Sequence, residues 1–191
     1  MRIIFYGPEG SGKTTQGKLL AQKLGLPHLV SGDLVRRAAA NDKGMIGDIC
    51  REALAKGYYV ADSEMFVMWK ARFKDEDTQN GWVIDGFPRN LSQAEWLADK
   101  LDKYNQAVDK VFYLKVSEEE SIRRLLKRAR RNPDGTLSDT PEKISERLKR
   151  YKAEEADVLS YYQNLGVLEE IDGERSIDEI ATDIYSRVRT N

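Results

Sequence analysis

The sequence has one cysteine and one histidine in 191 residues, and each scarcity closes off a class of chemistry. Cys50 has no second thiol to pair with, so no internal disulfide forms, and with His28 alone it falls short of the four ligands of a structural zinc site. No zinc is expected. An excess of charge of either sign is missing too: 31 Lys and Arg stand against 32 Asp and Glu, so the balance calls for neither nucleic acid nor a membrane surface as a partner. No apolar run nears the ~20 residues that cross a bilayer, and the chain opens at once on strand-like residues without a signal-peptide pattern. Cytoplasmic residence is expected. Internal repeats and low-complexity linkers are absent as well, so a chain of this length reads as one domain, or a core with small insertions, and is expected to be a monomer.

What the sequence does have begins at residue 7. Gly7-Pro8-Glu9-Gly10-Ser11-Gly12-Lys13-Thr14-Thr15 follows the apolar run Ile3-Ile4-Phe5 and opens a helical pattern, matching G-x-x-x-x-G-K-[ST] in the strand-to-helix context that the motif requires. The glycines let consecutive N–H groups turn inward, and the following helix aims its positive end at the same point. Lys13 adds a mobile cation. A polyanion fits such a cradle, and a nucleoside triphosphate is the expected ligand.

Strand-like runs recur at His28-Leu29-Val30, Trp82-Val83-Ile84, Lys110 to Leu114 and Val167 to Ile171, giving five with the first. Their apolar runs are near-continuous rather than strictly alternating. That suits strands covered on both faces, so a doubly wound parallel α/β sheet is expected. Helix starts are marked by Ser117 with Glu120, Ser176 with Glu179, and Thr140 before Pro141. The last of these opens a helix with Ile144, Leu148, Tyr151, Val158 and Leu165 on one side, ending at Gly166. Residues 31 to 60 read as an inserted helical lobe. Arg130 to Asp139, with the turn-forming Asn132-Pro133-Asp134-Gly135, reads as a short loop between two long helices.

Asp85-Gly86-Phe87-Pro88-Arg89 closes the third strand, where ligands bind in open α/β sheets. A carboxylate beside phosphates needs a cation between them, which points to Mg²⁺ held by Asp85 and by the Thr14 hydroxyl. Arg89 offers a rigid fork suited to phosphate. Further on, Arg123, Arg124, Lys127, Arg128, Arg130 and Arg131 gather six cations between Ser121 and Pro133 with no acid among them. Helical phasing puts Arg124, Arg128 and Arg131 on the side opposite the apolar stripe. A solvated face, nucleic-acid contact, and stabilisation of a transferring phosphoryl group are the three readings, of which the last accords with the phosphate loop.

The loop motif, Ser31-Gly32-Asp33-Leu34 with Arg36, Asp85-Gly86-Phe87-Pro88-Arg89 with Gln93, and Ile171-Asp172-Gly173, taken in order, resemble the adenylate kinases, the short-lid branch of the nucleoside monophosphate kinases. The resemblance implies a P-loop three-layer fold and transfer of a phosphoryl group from MgATP to AMP. Its core would be residues 1–30, 61–129 and 140–191, with a monophosphate-binding lobe at 31–60 and a lid at 130–139. By position it implies that Gly10, Ser11, Gly12, Lys13, Thr14 and Thr15 hold the ATP phosphates, while Arg36 and Arg89 hold the phosphate of AMP. Ser31, Gly57, Tyr58, Tyr59, Val60, Gly86 and Gln93 would surround AMP. Arg124 and Arg128 would face ATP, Arg147 would reach the transferring group, and Arg175 would lie near the ATP base. Ser31 and Gln93 favour AMP, because kinases of UMP and CMP typically carry alanine and asparagine there.

The chain also departs from the family pattern. Glu9 stands where proline is usual and Thr14 where glycine is, and the lid reads Gly135-Thr136-Leu137-Ser138-Asp139 in place of Gly-Arg-x-Asp-Asp. Either Arg131, on the Arg124 and Arg128 side, replaces the arginine missing at Thr136, or Arg124, Arg128 and Arg147 suffice. Two other functions use the same residues: a kinase of another monophosphate such as CMP or dCMP, and an ATP-gated module that holds RNA on the basic helix.

Overall fold

Five short strands, β1 (Arg2–Tyr6), β2 (His28–Val30), β3 (Trp82–Asp85), β4 (Lys110–Lys115) and the more polar β5 (Leu168–Asp172), line up in parallel in the order β2-β3-β1-β4-β5. The computed structural model describes residues 1–131 and 135–189; Asn132, Pro133 and Asp134 of the turn named above lie outside them. The chain runs β1 (Arg2–Tyr6), α1 (Lys13–Leu24), β2 (His28–Val30), α2 (Ser31–Asn41), α3 (Met45–Lys56) and α4 (Asp62–Arg72). It continues through β3 (Trp82–Asp85), α5 (Leu91–Asp102), β4 (Lys110–Lys115), α6 (Glu118–Arg128), α7 (Pro141–Asn164), β5 (Leu168–Asp172) and α8 (Ile177–Arg189).

Successive strand residues point to opposite faces, and both faces are apolar. Ile4, Tyr6, Trp82, Ile84, Val111 and Tyr113 pack on one side with Trp69, Leu97 and Tyr162 from α4, α5 and α7. Ile3, Phe5, Val83, Phe112, Leu114 and Ile171 pack on the other with Leu20 of α1 and Ile180 and Ile184 of α8. This double coverage explains the near-continuous apolar runs. Each such Ile or Phe contributes about 1.5–3 kcal/mol by leaving water. A third cluster, Leu125 with Ile144 and Leu148, fastens α6 to α7.

The helix starts follow their sequence signals, with one difference. Ser176 and Glu179 exchange both bonds of a capping box, and the Thr140 hydroxyl accepts from the Lys143 N–H at 3.4 Å. Ser117 caps Glu120, but the Glu120 carboxylate is taken by Arg123 and Arg124 instead of returning to Ser117. The stripe on α7 also differs from expectation at its end. Leu165 is 55% exposed because it follows the last turn, and Tyr162, one turn on from Val158, takes the core seat.

Inserted after β2, α2 and α3 form a helical pair. Gly47 lies inside α3, where a Cβ would meet the Asp42 carbonyl oxygen at 1.9 Å, so only glycine allows the two helices this approach. Cys50 is wholly buried under the pair. Because β1 is central and the chain builds first to one side of it and then to the other, the carboxyl ends of β1, β3 and β4 border the crevice where such sheets bind ligands.

Candidate active site

At the end of β1 the chain turns through Gly7, where φ is 140° and a Cβ would come within 2.6 Å of the Leu114 carbonyl oxygen. Glycine alone lets the loop lie this close to β4. Gly12 caps α1, whose free N–H groups and dipole face the same point. The Lys13 ammonium arches back to donate to the Gly7 and Pro8 carbonyls at 2.8 and 2.7 Å. Burial lowers its pKa against the attraction of Asp85 and Glu9. Ser11 is buried beneath the loop, while Thr14 donates to Asp85 Oδ2 at 2.5 Å.

Over these strand ends opens a cavity of about 690 Å³. Gly10, Gly12, Lys13, Thr14, Thr15, Asp85, Arg124 and Arg128 line it on the loop side, and Arg36, Tyr59, Val60, Gly86, Arg89 and Gln93 on the lobe side. A smaller hollow of about 110 Å³ adjoins it through Glu9, Arg36, Tyr59 and Arg89, and adds Ser31, Gly57, Tyr58 and Arg147. Of the residues singled out in the sequence, Arg175 is turned away. Its guanidinium pairs with Asp183 at 2.6 Å, although Gly173, two residues earlier, accepts from Arg124 beside the loop.

On the side of α2 and α3 Arg89 has no paired acid among the described residues. It donates to the Gly86 carbonyl at 2.8 Å and the Ser31 hydroxyl at 3.4 Å, and its guanidinium stacks 3.8 Å from the centre of the Tyr59 ring. Arg36 pairs with Asp33 at 2.5 Å, an exposed contact worth little in water. Gln93 is buried, accepting from the Arg89 N–H at 2.8 Å and donating to Asp62 at 2.6 Å.

On the side of Asp139 the arginines are paired. Asp139, with no side-chain exposure, accepts from Arg128 at 2.9 and 3.0 Å, from Arg147 at 2.9 Å and from the Arg130 N–H at 3.1 Å. Burial alone would raise the Asp139 carboxyl. The hydrogen bonds from Arg128 and Arg147 outweigh it and hold the group below its ordinary value. Glu9 pairs with Arg147 at 2.8 Å and accepts from the Tyr59 hydroxyl at 3.1 Å. Its carboxyl is likewise lowered: burial opposes, and the cations led by Arg147 prevail. Lys143 joins the end of α3 to the segment before α7, donating to the carbonyls of Ala55 and Leu137 at 3.2 and 3.3 Å.

The phasing that put Arg131 with Arg124 and Arg128 does not hold. Helix α6 stops at Arg128 and Ala129 takes a left-handed φ of 44°, so the next two side chains leave the helical register. Arg130 faces both cavities, where burial and the nearby Arg128 and Arg36 lower its pKa. Arg131 faces outward and donates to the Gly135 carbonyl at 2.8 Å. The basic row is also less self-repelling than its sequence implies, because Glu120 meets Arg123 and Arg124 and Asp139 meets Arg128.

Comparison with known proteins agrees with this arrangement. The family model described as adenylate kinase matches residues 5–167. The chain belongs to the adenylate kinase family. It is 38% identical over 185 residues to the adenylate kinase of Prochlorococcus marinus (strain MIT 9211), covering 97% of this chain and 95% of that one. With the adenylate kinase of Xanthomonas campestris pv. campestris (strain B100) it shares 37% identity over 180 residues, 94% and 95% of the two chains. It is thus an ATP:AMP phosphotransferase, a nucleoside monophosphate kinase making ADP from ATP and AMP.

Four features of the site are not legible in the sequence: Asp139 as the shared acid, the Tyr59 ring under Arg89, Arg130 in the cavity, and Asp62 behind Gln93. Only Asp139 has a local signal, as one of the two acids, with Asp134, between the basic stretch and the Thr140-Pro141 helix start.

Proposed function

We propose that transfer takes place in the paired cavities, with the donor triphosphate on the loop side and AMP on the lobe side. The observation that carries this is convergence: Lys13 of α1, Arg36 of α2, Arg89 after β3, Arg128 of α6 and Arg147 of α7 come from five separate segments to one place. A phosphoryl group moves with its charge spread over its oxygens, so positioned cations and exclusion of water supply most of the catalysis. Lys13 and the amides of Gly10 to Thr15 hold the donor phosphates. Arg36 and Arg89 hold the acceptor phosphate, and Arg124, Arg128 and Arg147 meet the moving group. Ser31, Gly86, Gln93 and the chain from Gly57 to Val60 enclose the acceptor base. Arg175 is left only its backbone for the donor base, since its guanidinium is engaged with Asp183.

The donor set fits Mg²⁺. Thr14 and Asp85 bring two hard oxygen atoms together at the cavity wall, the few protein ligands this ion takes when it keeps water and phosphate oxygens as the rest. When bound, the ion neutralises charge on the donor phosphates. Among the described residues no group of three or more His, Cys, Asp or Glu offers it a different home. In this reading residues 31–60 are the monophosphate lobe and 130–139 the lid, and the two close over the substrates to keep water from the donor.

The basic helix supports this reading over an RNA-holding module, because three of its arginines are paired with acids and two line the cavity. Formation of ADP from ATP should be measured with AMP, CMP, dCMP and UMP in turn, against a control without acceptor. AMP should give the fastest turnover. A faster pyrimidine would overturn the assignment of the acceptor side.

A further inference from the structure

The Gln93 amide can be read in two ways, since its oxygen and nitrogen ends have nearly the same shape. Here both ends are fixed by partners that admit only one answer. The Arg89 N–H can only donate, so the atom 2.8 Å from it is Oε1. A carboxylate accepts, so the atom 2.6 Å from Asp62 Oδ1 is Nε2. The other oxygen of Asp62 accepts from Asn90 Nδ2 at 2.9 Å, and Asn90 Oδ1 in turn accepts the Gln93 N–H at 2.8 Å, capping α5. Asp62 therefore receives two amide groups, each tied at its far end to a backbone N–H.

We propose that Asp62 is a positioning residue that sets acceptor specificity by locking the Gln93 amide in one orientation. The inference rests on the reading above that places the acceptor base against Gln93. Asp62, Asn90 and Gln93 all line the larger cavity. With one N–H and one lone pair engaged, the amide keeps a second N–H on Nε2 and a second lone pair on Oε1. Adenine offers the complement on its Watson–Crick edge, an amino donor at N6 and an acceptor at N1. Hypoxanthine, with the same ring shape, offers an acceptor at O6 and a donor at N1, so the locked amide meets it donor to donor and acceptor to acceptor. Uracil is opposed in the same sense. Cytosine, whose N4 donates and N3 accepts, is not, so the lock discriminates by hydrogen-bond polarity and leaves discrimination by ring size to other parts of the pocket.

In Asp62→Ala, and in Asp62→Leu, which has nearly the shape of Asp but no acceptor, the Nε2 end loses its partner and only the Arg89 N–H still holds the amide. Sites that recognise hydrogen-bonding groups reject mismatched analogues strongly because buried polar groups are left unpaired, so the kcat/KM ratio of AMP to IMP should fall by ~10-fold or more in each variant. The AMP to CMP ratio should stay within ~3-fold and the KM for ATP should not move, a pattern that general loosening of the fold would not give. Far-UV circular dichroism identifies which variants fold, and Asp62→Leu keeps the side-chain volume should Asp62→Ala fail. If folded variants keep the wild-type AMP to IMP ratio while Gln93→Ala collapses it, the lock is wrong and the placement of the base stands. If Gln93→Ala also leaves the ratio unchanged, the base does not lie on Gln93, and both ideas fall.

Discussion

The lobe side and the lid side of the cavity carry comparable positive charge in opposite company. Arg89 rests on a carbonyl, a hydroxyl and an aromatic ring, with no carboxylate paired to it among the described residues. Arg128 and Arg147 share the buried Asp139, and Arg147 also holds Glu9. The first arrangement fixes a guanidinium without a paired carboxylate, Glu9 acting on it only through space, so an incoming phosphate displaces no hydrogen-bonded protein anion. The second cancels charge within the fold, so those arginines are stable where they stand but must share themselves with substrate. Position is bought on one side with weak neutral contacts and on the other with strong ionic ones.

The largest test of that contrast removes cations that hold backbone or neutral groups instead of a paired acid. Lys13→Ala and Arg89→Ala should each lower kcat/KM by at least ~10²-fold, and the Arg89 variant should lose less folding stability than one that breaks the Asp139 pairs, since no salt-bridged acid is left behind. Near-normal turnover in either would break the comparison at its first term.

Asp139 sharpens the other side. Breaking a buried ion pair by removing one partner costs about 3–5 kcal/mol, and because Arg128 is partly exposed, about 2–3 kcal/mol is expected for Asp139→Asn by urea unfolding. The pH dependence has a definite sign. The Asp139 and Glu9 carboxyls are held below their ordinary values, so the folded state binds fewer protons than the unfolded chain. The stabilisation is present above the ordinary carboxylate range and is lost as the pH falls through the lowered folded values. Wild type should therefore lose more stability between pH 6 and pH 3 than Asp139→Asn does, and equal losses would show that the network carries no net charge coupling.

The smallest expected effect separates neighbours. Arg130→Ala should lower kcat by ~10-fold, within the wide range of arginine contributions to phosphoryl transfer, whereas Arg131→Ala should change it less than ~2-fold. The reverse order would mean that Arg131 turns inward during turnover.

These differences mark where sequence reading stops. The phosphate loop, the five strands and the Asp85 to Arg89 turn are contiguous, and their spacing and periodicity carry the information locally. The partners of the arginines are not contiguous: Glu9 meets Tyr59 fifty residues away, and Asp62 meets Gln93 across thirty-one. Arg130 was lost for a smaller reason. A left-handed residue after α6 would be read from a glycine or asparagine, but here it is Ala129, so helical phasing was extended one turn too far.

The burial of Cys50 has a practical consequence. A thiol with no exposed surface, its pKa raised chiefly by burial, reacts slowly with maleimides, and it is the only one in the chain. Cysteines introduced at exposed positions, one on the outer face of α3 and one near Leu137, could therefore carry a fluorophore pair without first removing the native thiol. Single-molecule energy transfer between them would follow the distance from lobe to lid in an otherwise unaltered protein.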